Sequence, residues 1–207
     1  MARDRGSIVK MSRREGYALH PKAHKALVKR TSMPGQAAGG RPPRQKASQY
    51  SLQLREKQKV KRLYGLLEKQ FSNLMKEASR TKGQSGTALL QFLELRLDNV
   101  VYRSGLAMSR RAARQLVTHG HFTLNGRRVD IPSIRVKVGD VITPRPHSLQ
   151  TDYFKRIDDV SPSSPNDIPS WIKVNRKKLE INVTGLPARE DAEPEINEQL
   201  IVEYYSR

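Results

Sequence analysis

"SRRAARQLVTHGHFTLNGRRV" spans residues 109–129, and its apolar period changes partway along. Ala112, Ala113, Leu116 and Val117 recur at helical steps, with Ser109 placed to cap a short helix and Gly120 to close it. From Phe122 the period drops to two: Phe122 and Leu124, then Val129 and Ile131, on either side of Asn125-Gly126. Asn-Gly between alternating residues is the strongest short hairpin signal, because a type I′ turn needs positive φ at both central residues. A helix that runs into a hairpin makes this region a small mixed domain. The same stretch carries five arginines and two histidines. A catalytic site, a metal site and a nucleic-acid grip are the three chemistries such a set could serve.

Outward from this centre, "SIRVKVGDVI" continues the alternation, with Ile134, Val136 and Val138 expected on one face and Arg135 and Lys137 on the other. Before it, "ALLQFLELRLDNVVYRSG" predicts a helix capped by Thr87, whose buried face holds Leu89, Leu90, Leu93, Leu97, Val100 and Val101. The strongest helical signal is "YSLQLREKQKVKRLYGLLEKQFSNLMKEASR". There Val60, Leu63, Tyr64, Leu67, Phe71, Leu74, Met75 and Ala78 recur at three- and four-residue steps, and Gly65 marks a bend or a break.

The ends differ in kind. Residues 1–48 show little periodicity and include "TSMPGQAAGGRPPRQKAS", which predicts a basic arm ordered by its partner, with a short helix at "SRREG" capped by Ser12. Residues 146–170 also lose periodicity and read as a connector anchored by Trp171. "INVTGLP" reads as a strand and turn. "INEQLIVEYYSR" places Ile196, Leu200, Ile201 and Tyr204 on a stripe too short to stand alone, so it should pack on the helices of 51–88. The expected class is α+β: an extended basic arm (1–48), a helical domain in two parts (49–88 and 175–207), and an inserted domain of short helices and a twisted antiparallel sheet with its connector (89–174).

The chain has 207 residues and a net charge of +19. Like charge at that density repels itself, so a polyanionic partner is the economical explanation. The distribution says more. Residues 1–62 hold seventeen Lys and Arg against three acids, a net +14, and residues 96–145 add +7. The last twenty residues are acidic, at −4, which suits their own chain or a basic protein rather than phosphate. No apolar run is long enough to span a membrane, and the first residues lack the apolar core of a signal peptide, so a cytoplasmic protein is expected. With no cysteine, disulfides, thiolate nucleophiles and thiolate metal sites are excluded.

Phosphate answers the question raised by residues 109–129 best. Arg110, Arg111 and Arg114 lie in the first turns of a helix, where the helix dipole offers cations nothing, so another reason must hold them there. Guanidinium forks match phosphate oxygens, and the turn at Asn125, Gly126, Arg127 and Arg128 would add a close backbone contact, with Lys137 beyond it. Arg55, Lys57, Lys59, Lys61 and Arg62 form a second one-signed cluster, read as phosphate contacts against a merely solvated face. His119 and His121 are two apart, and His20 and His24 four apart, but neither pair has the further ligands a metal needs, so no metal and no cofactor are expected. Neither His119 nor His121 has an evident nucleophile or orienting acid, and contact with RNA suits both better. Asp98, amid arginines, reads as a structural ion-pair partner.

At these residues the chain becomes recognisable. "RLDNVVYRSGLAMSRRAARQLVTHGHFTLNGRRVDIPSIRVKVGD" resembles the small RNA-binding module named after bacterial small-subunit ribosomal protein S-four. "SRREG", "PGQ", "LQLREKQKVKRLYGLLEKQF", "PSW" and "INEQLIVEYYSR" are similar to that protein family in the same order, so the resemblance covers nearly the whole chain. It implies a non-enzymatic constituent of the small ribosomal subunit in the cytoplasm, a primary binder of small-subunit (16S-type) rRNA at a 5′-domain junction that nucleates assembly. It also implies a border on the mRNA entrance path, a contact with the fifth small-subunit protein that bears on translational accuracy, and no membrane or homo-oligomer.

Carried over, the module's contacts would come from Arg103, Ser109, Arg110, Arg111, Arg114, Gln115, His119, His121, Asn125 and Gly126. Arg13, Arg14 and the 55–62 cluster match the family's basic positions in the arm and first helix, and Arg41, Arg44 and Lys46 fall near its messenger entrance. The chain departs from the family in lacking the N-terminal cysteines with which many relatives hold zinc, and in a shorter, Pro- and Ser-richer segment at 149–167. Repression of its own messenger, known in some relatives, has no signature here. An RNA-modifying enzyme with this module, such as a pseudouridine synthase, would need a catalytic domain that the arm and helices do not supply. A stand-alone RNA-binding quality-control factor would not need the terminal helical motifs.

Overall fold

The computed structural model describes residues 6–30, 32–35, 48–162 and 168–207. The chain divides into two compact units, residues 1–89 with 195–207, and residues 90–194.

The first unit is helical: α1 (Ile8–Glu15), α2 (Pro21–Lys29), α3 (Gln49–Leu63), α4 (Glu68–Ala78), the start of α5 (Ser85–Glu94) and, from the chain's end, α11 (Glu198–Tyr205). The break expected at Gly65 is present. Tyr64 caps α3, Gly65 takes φ +66°, a conformation that favours glycine, and α4 starts three residues later. Val60, Phe71 and Ala78 are fully buried, each large side chain contributing roughly 1.5–3 kcal/mol. The terminal segment packs on α3 as expected, with Ile196 and Ile201 buried and the Tyr205 ring 6.3 Å from Phe71.

Several local expectations are corrected. Residues 6–30, expected in an unpatterned arm, form two helices that bury Leu19 and Ala23, because α1 packs on both α2 and α3. Ser12 is not a cap. It sits inside α1, its hydroxyl donating to Ile8 O (2.8 Å) and accepting from Leu19 N–H (3.3 Å). Thr87 likewise lies within α5, which begins at Ser85 with Gln84 O accepting from Ala88 N–H.

The second unit holds the rest of α5, α6 (Leu97–Arg103), α7 (Arg110–Thr118), β1 (Phe122–Leu124), β2 (Arg127–Val129), β3 (Val141–Pro144), three one-turn helices α8 (Pro146–Leu149), α9 (Asp152–Lys155) and α10 (Ile157–Val160), then β4 (Ile172–Asn175) and β5 (Glu180–Val183). The strands form one antiparallel sheet in the order β2-β1-β3-β5-β4. Since β5 pairs with β3, residues 175–194, assigned by sequence to the C-terminal helical segment, lie with the sheet. Leu97, Val100, Val101, Leu106, Val117, Phe122, Ile142, Trp171 and Ile181 make the core beneath it.

The single helix expected over 88–105 is two. Leu95 and Arg96 leave the helix to pair with the 132–136 segment, where Leu97 N–H donates to Ile134 O (2.8 Å) and Val136 N–H to Leu95 O (2.9 Å). That pairing also shortens the alternating strand expected over 133–142, of which only Val141 and Ile142 lie in β3: Arg135 makes only an isolated bridge, and Val138 is exposed in a turn closed by Asp140 N–H on Lys137 O. In the connector expected at 146–170, residues 146–160 form the three short helices, which bury Phe154 and Ile157, and Trp171 is buried as an anchor should be. Residues 163–167 of that connector lie outside the described residues.

Candidate nucleic-acid interface

The Ser109 hydroxyl accepts from Ala112 N–H (3.2 Å), so the expected cap starts α7, and Ala113, Leu116 and Val117 face the core. The remaining positions of the helix project the polar side chains. They divide into two groups.

Arg103, Arg110 and Arg114 are committed to carboxylates. Arg103 forks onto Glu94 (3.0 and 2.9 Å), whose carboxylate is buried and also accepts from Asn99 Nδ2 (2.7 Å). Arg110 donates to Asn99 Oδ1 and to Glu193 Oε1, both at 2.9 Å, and its guanidinium lies 4.5 Å from the Tyr102 ring centre. Arg114 donates to Asp98 Oδ2 (2.9 Å), which Arg96 grips from the other side at 3.1 and 2.8 Å. Asp98 is thus the ion-pair partner expected of it. The reason Arg110 and Arg114 sit in the first turns of α7 is internal, since carboxylates reach them there.

The second group faces solvent. Arg111, Gln115 and His119 are exposed along α7, with Gln115 Nε2 and His119 Nε2 2.6 Å apart. The hairpin turn follows: Asn125 (φ 51°) and Gly126 (φ 78°) sit between Leu124 and Arg127, the backbone a two-residue primed turn requires. Asn125 locks this turn to β3, its Oδ1 accepting from Val141 N–H and its Nδ2 donating to Asp140 Oδ1, both at 2.8 Å. Arg127, Arg128 and Lys137 are exposed. Arg128 joins the two parts of the face, because its guanidinium lies against Gly120, where a Cβ would stand 2.9 Å from Nε.

His121 borders this face. Its Nδ1 is 3.0 Å from Ser148 Oγ, and its ring centre is 5.8 Å from that of Phe154 and 6.1 Å from that of His119. Burial, with the neighbouring His119, Arg145 and His147, pushes its pKa below the ordinary histidine value. Among the described residues no three His, Asp or Glu side chains gather closely enough to share a metal ion, and no helix is long and apolar enough to cross a membrane.

In the helical unit, each basic residue of the cluster at 55–62 has a carboxylate partner. Arg55 and Arg62 both reach Glu15 Oε1, the former at 3.2 Å. Lys57 is only 3% exposed, 2.5 Å from Glu68 and 4.4 Å from the Tyr204 ring centre, and Lys61 shares the same carboxylate at 2.9 Å. Lys59 donates to Glu56 (2.9 Å) and to Glu195 O (2.7 Å). Burial raises the Glu15 pKa more than its arginines lower it. Arg13 closes on Ser32 O (3.1 and 2.8 Å), while Arg14 is exposed. Arg41, Arg44 and Lys46 lie outside the described residues. What the sequence alone does not show is the set of carboxylates that take these cations: Glu68 and Glu94 within about a dozen residues of theirs, Glu15 and Glu193 far along the chain from theirs.

Two family descriptions match the chain: "Ribosomal protein S4/S9 N-terminal domain" over residues 3–94 and "S4 domain" over residues 95–142. Among curated proteins, the "Small ribosomal subunit protein uS4" of Herpetosiphon aurantiacus is 50% identical over 211 residues, and that of Chloroflexus aurantiacus 51% over 207. That of Clostridioides difficile is 51% identical over 213 residues. Each of the three comparisons covers 100% of this chain and 100% of the relative.

Proposed function

Because this chain belongs to the uS4 family of small ribosomal subunit proteins, structural rather than enzymatic components, we propose that it binds small-subunit rRNA at a 5′-domain junction and nucleates assembly there. The observation that carries this reading is the exposed face of α7 and the hairpin, formed by Arg111, Gln115, His119, Asn125, Gly126, Arg127 and Arg128, with Lys137 nearby. Arg103, Arg110 and Arg114 serve that face indirectly: their ion pairs hold α6 and α7 in register, so the outer side chains meet RNA from a fixed base. Arginine and lysine there neutralise phosphates and release counterions, and the shape of the folded RNA supplies much of the specificity.

In the same proposal the inserted module is the principal RNA grip. Residues 1–48 reach toward the mRNA entrance path through Arg41, Arg44 and Lys46, and Arg13 and Arg14 add contacts from α1. The acidic terminal segment contacts the fifth small-subunit protein and through it bears on accuracy. The protein works in the cytoplasm, within the ribosome, with no homo-oligomer. The test is a titration against the 5′ domain of small-subunit rRNA with bulk tRNA as competitor, at two salt concentrations. Tight binding that resists tRNA and weakens with salt is expected, with a slope of roughly 0.7–0.9 per phosphate contact. Binding that tRNA abolishes equally well overturns the assignment.

A further inference from the structure

The lysines and arginines of α3 are paired with carboxylates of their own chain, and among the described residues the lysines of α4 have no ion-pair partner. Lys69, Asn73, Lys76 and Arg80 follow one another at steps of four, three and four residues, so they form a single stripe along α4 and into the turn that follows it. All four are exposed. Phe71, Met75 and Ala78, on the opposite side of the helix, are buried in the core. Lys82 extends the stripe through the turn, also exposed. Among the described residues none of these four cations makes an ion pair, although Glu77 lies beside them on the same helix.

The usual outer face of a surface helix mixes both signs, which gives it weak pairs at three- and four-residue spacing and costs nothing in self-repulsion. Here Lys69, Lys76, Arg80 and Lys82 are all of one sign, with Glu77 the single acid beside them. On α3, by contrast, all five basic residues at 55–62 have a carboxylate partner. The same small unit therefore pairs its cations on one helix and leaves a row of them facing water on the next. Lys69, Lys76 and Arg80 stand about 10 and 6 Å apart along the axis at 1.5 Å per residue. That row can follow a strand of closely spaced phosphates.

We propose that this α4 stripe, Lys69, Lys76, Arg80 and Lys82, is a second RNA-backbone contact surface, and that it, rather than the cluster at 55–62, is how the helical unit holds RNA. The contact is with phosphate and carries no base preference. The inference rests on the rRNA-binding reading above and names a partner surface within it.

The test compares two variants of the full chain with the same loss of charge. One is Lys69→Gln, Lys76→Gln and Arg80→Gln together. The other is Lys22→Gln, Lys25→Gln and Lys29→Gln, exposed positions on α2. Affinity for the 5′-domain rRNA is measured across a salt series, with circular dichroism to verify the fold. The α4 variant should lower the salt slope by roughly 2, at about 0.7 per lost contact, and Lys76→Gln alone by about 0.7, while the α2 variant leaves the slope near that of the unaltered chain. Equal losses in both triple variants would mean that total charge is what RNA senses, and would overturn the stripe. An unchanged α4 variant, with tRNA-resistant binding by the unaltered chain, would overturn the stripe and leave the rRNA reading standing. Binding by the unaltered chain that tRNA abolishes would overturn the rRNA reading itself, and the stripe with it.

Discussion

Asp98→Ala is the substitution whose cost the structure defines best. The Asp98 side chain is 7% exposed and accepts from Arg96 at 3.1 and 2.8 Å and from Arg114 at 2.9 Å. Arg96 is itself only 4% exposed, so removing the carboxylate leaves a buried guanidinium without its ion-pair partner. Breaking a buried pair in this one-sided way costs about 3–5 kcal/mol, more than the pair contributes when compared with an apolar replacement. The assay is urea unfolding followed by tryptophan fluorescence. Trp171 is the only tryptophan in the chain, it is 3% exposed, and it lies in the second unit, so its signal reports that unit alone. That choice avoids treating a chain of two units as one two-state system. With m of about 1–3 kcal/mol/M, the midpoint should fall by at least about 1 M. Arg111→Ala, on the exposed side of the same helix, should stay within about 0.5 kcal/mol of the parent. An Asp98→Ala midpoint indistinguishable from that of Arg111→Ala would refute the claim that this carboxylate holds α6 and α7 together.

Arg127→Ala with Arg128→Ala should leave the Trp171 unfolding midpoint nearly unchanged and reduce the salt slope of rRNA binding by roughly 1.5, at 0.7–0.9 per phosphate. Lys57→Met should leave rRNA affinity and its salt slope unaltered, since Lys57 is buried between Glu68 and Tyr204; a lost slope unit would show that it reaches phosphate after all. Gly126→Ala should destabilise the second unit by roughly 1–2 kcal/mol, because its φ of 78° is costly for any residue with a Cβ, read again from Trp171. His121 has a folded-state pKa below the ordinary 6.5, so the unfolded chain takes up the proton first and stability falls as pH drops through 6.5. His121→Gln should flatten the pH dependence of the Trp171 midpoint between pH 6.5 and 5, and an unaltered slope would mean that another group sets it.

Much of the fold was legible because its signals are local. A serine hydroxyl that caps an amide three residues on, an Asn-Gly pair between alternating residues, and an apolar stripe broken at Gly65 act over a few residues, so Ser109, the hairpin and the α3–α4 break follow from neighbours in the chain. The failures share a cause. The helix expected over 88–105 breaks at Leu95 and Arg96 because the carbonyl of Leu95 and the N–H of Leu97 on either side of Arg96 pair with residues 136 and 134, and the same pairing consumes the strand expected there. Local propensity has no access to a partner nearly forty residues away. For the same reason the one-turn helices of the connector, held by buried Phe154 and Ile157, carry no periodic signal.

The candidate interface divides along the same line. The count of basic residues, their clustering and the family motifs are properties of the chain itself, and they pointed to a polyanionic partner and to the family the chain belongs to. Only the tertiary structure decided which cations are exposed and which are drawn to carboxylates of their own chain. Arg110 meets Glu193 from 83 positions away and Arg62 meets Glu15 from 47, whereas the side chains of Arg127 and Arg128 are exposed. Coulomb energy depends on separation in space and on exclusion of water, and neither is written in the order of residues.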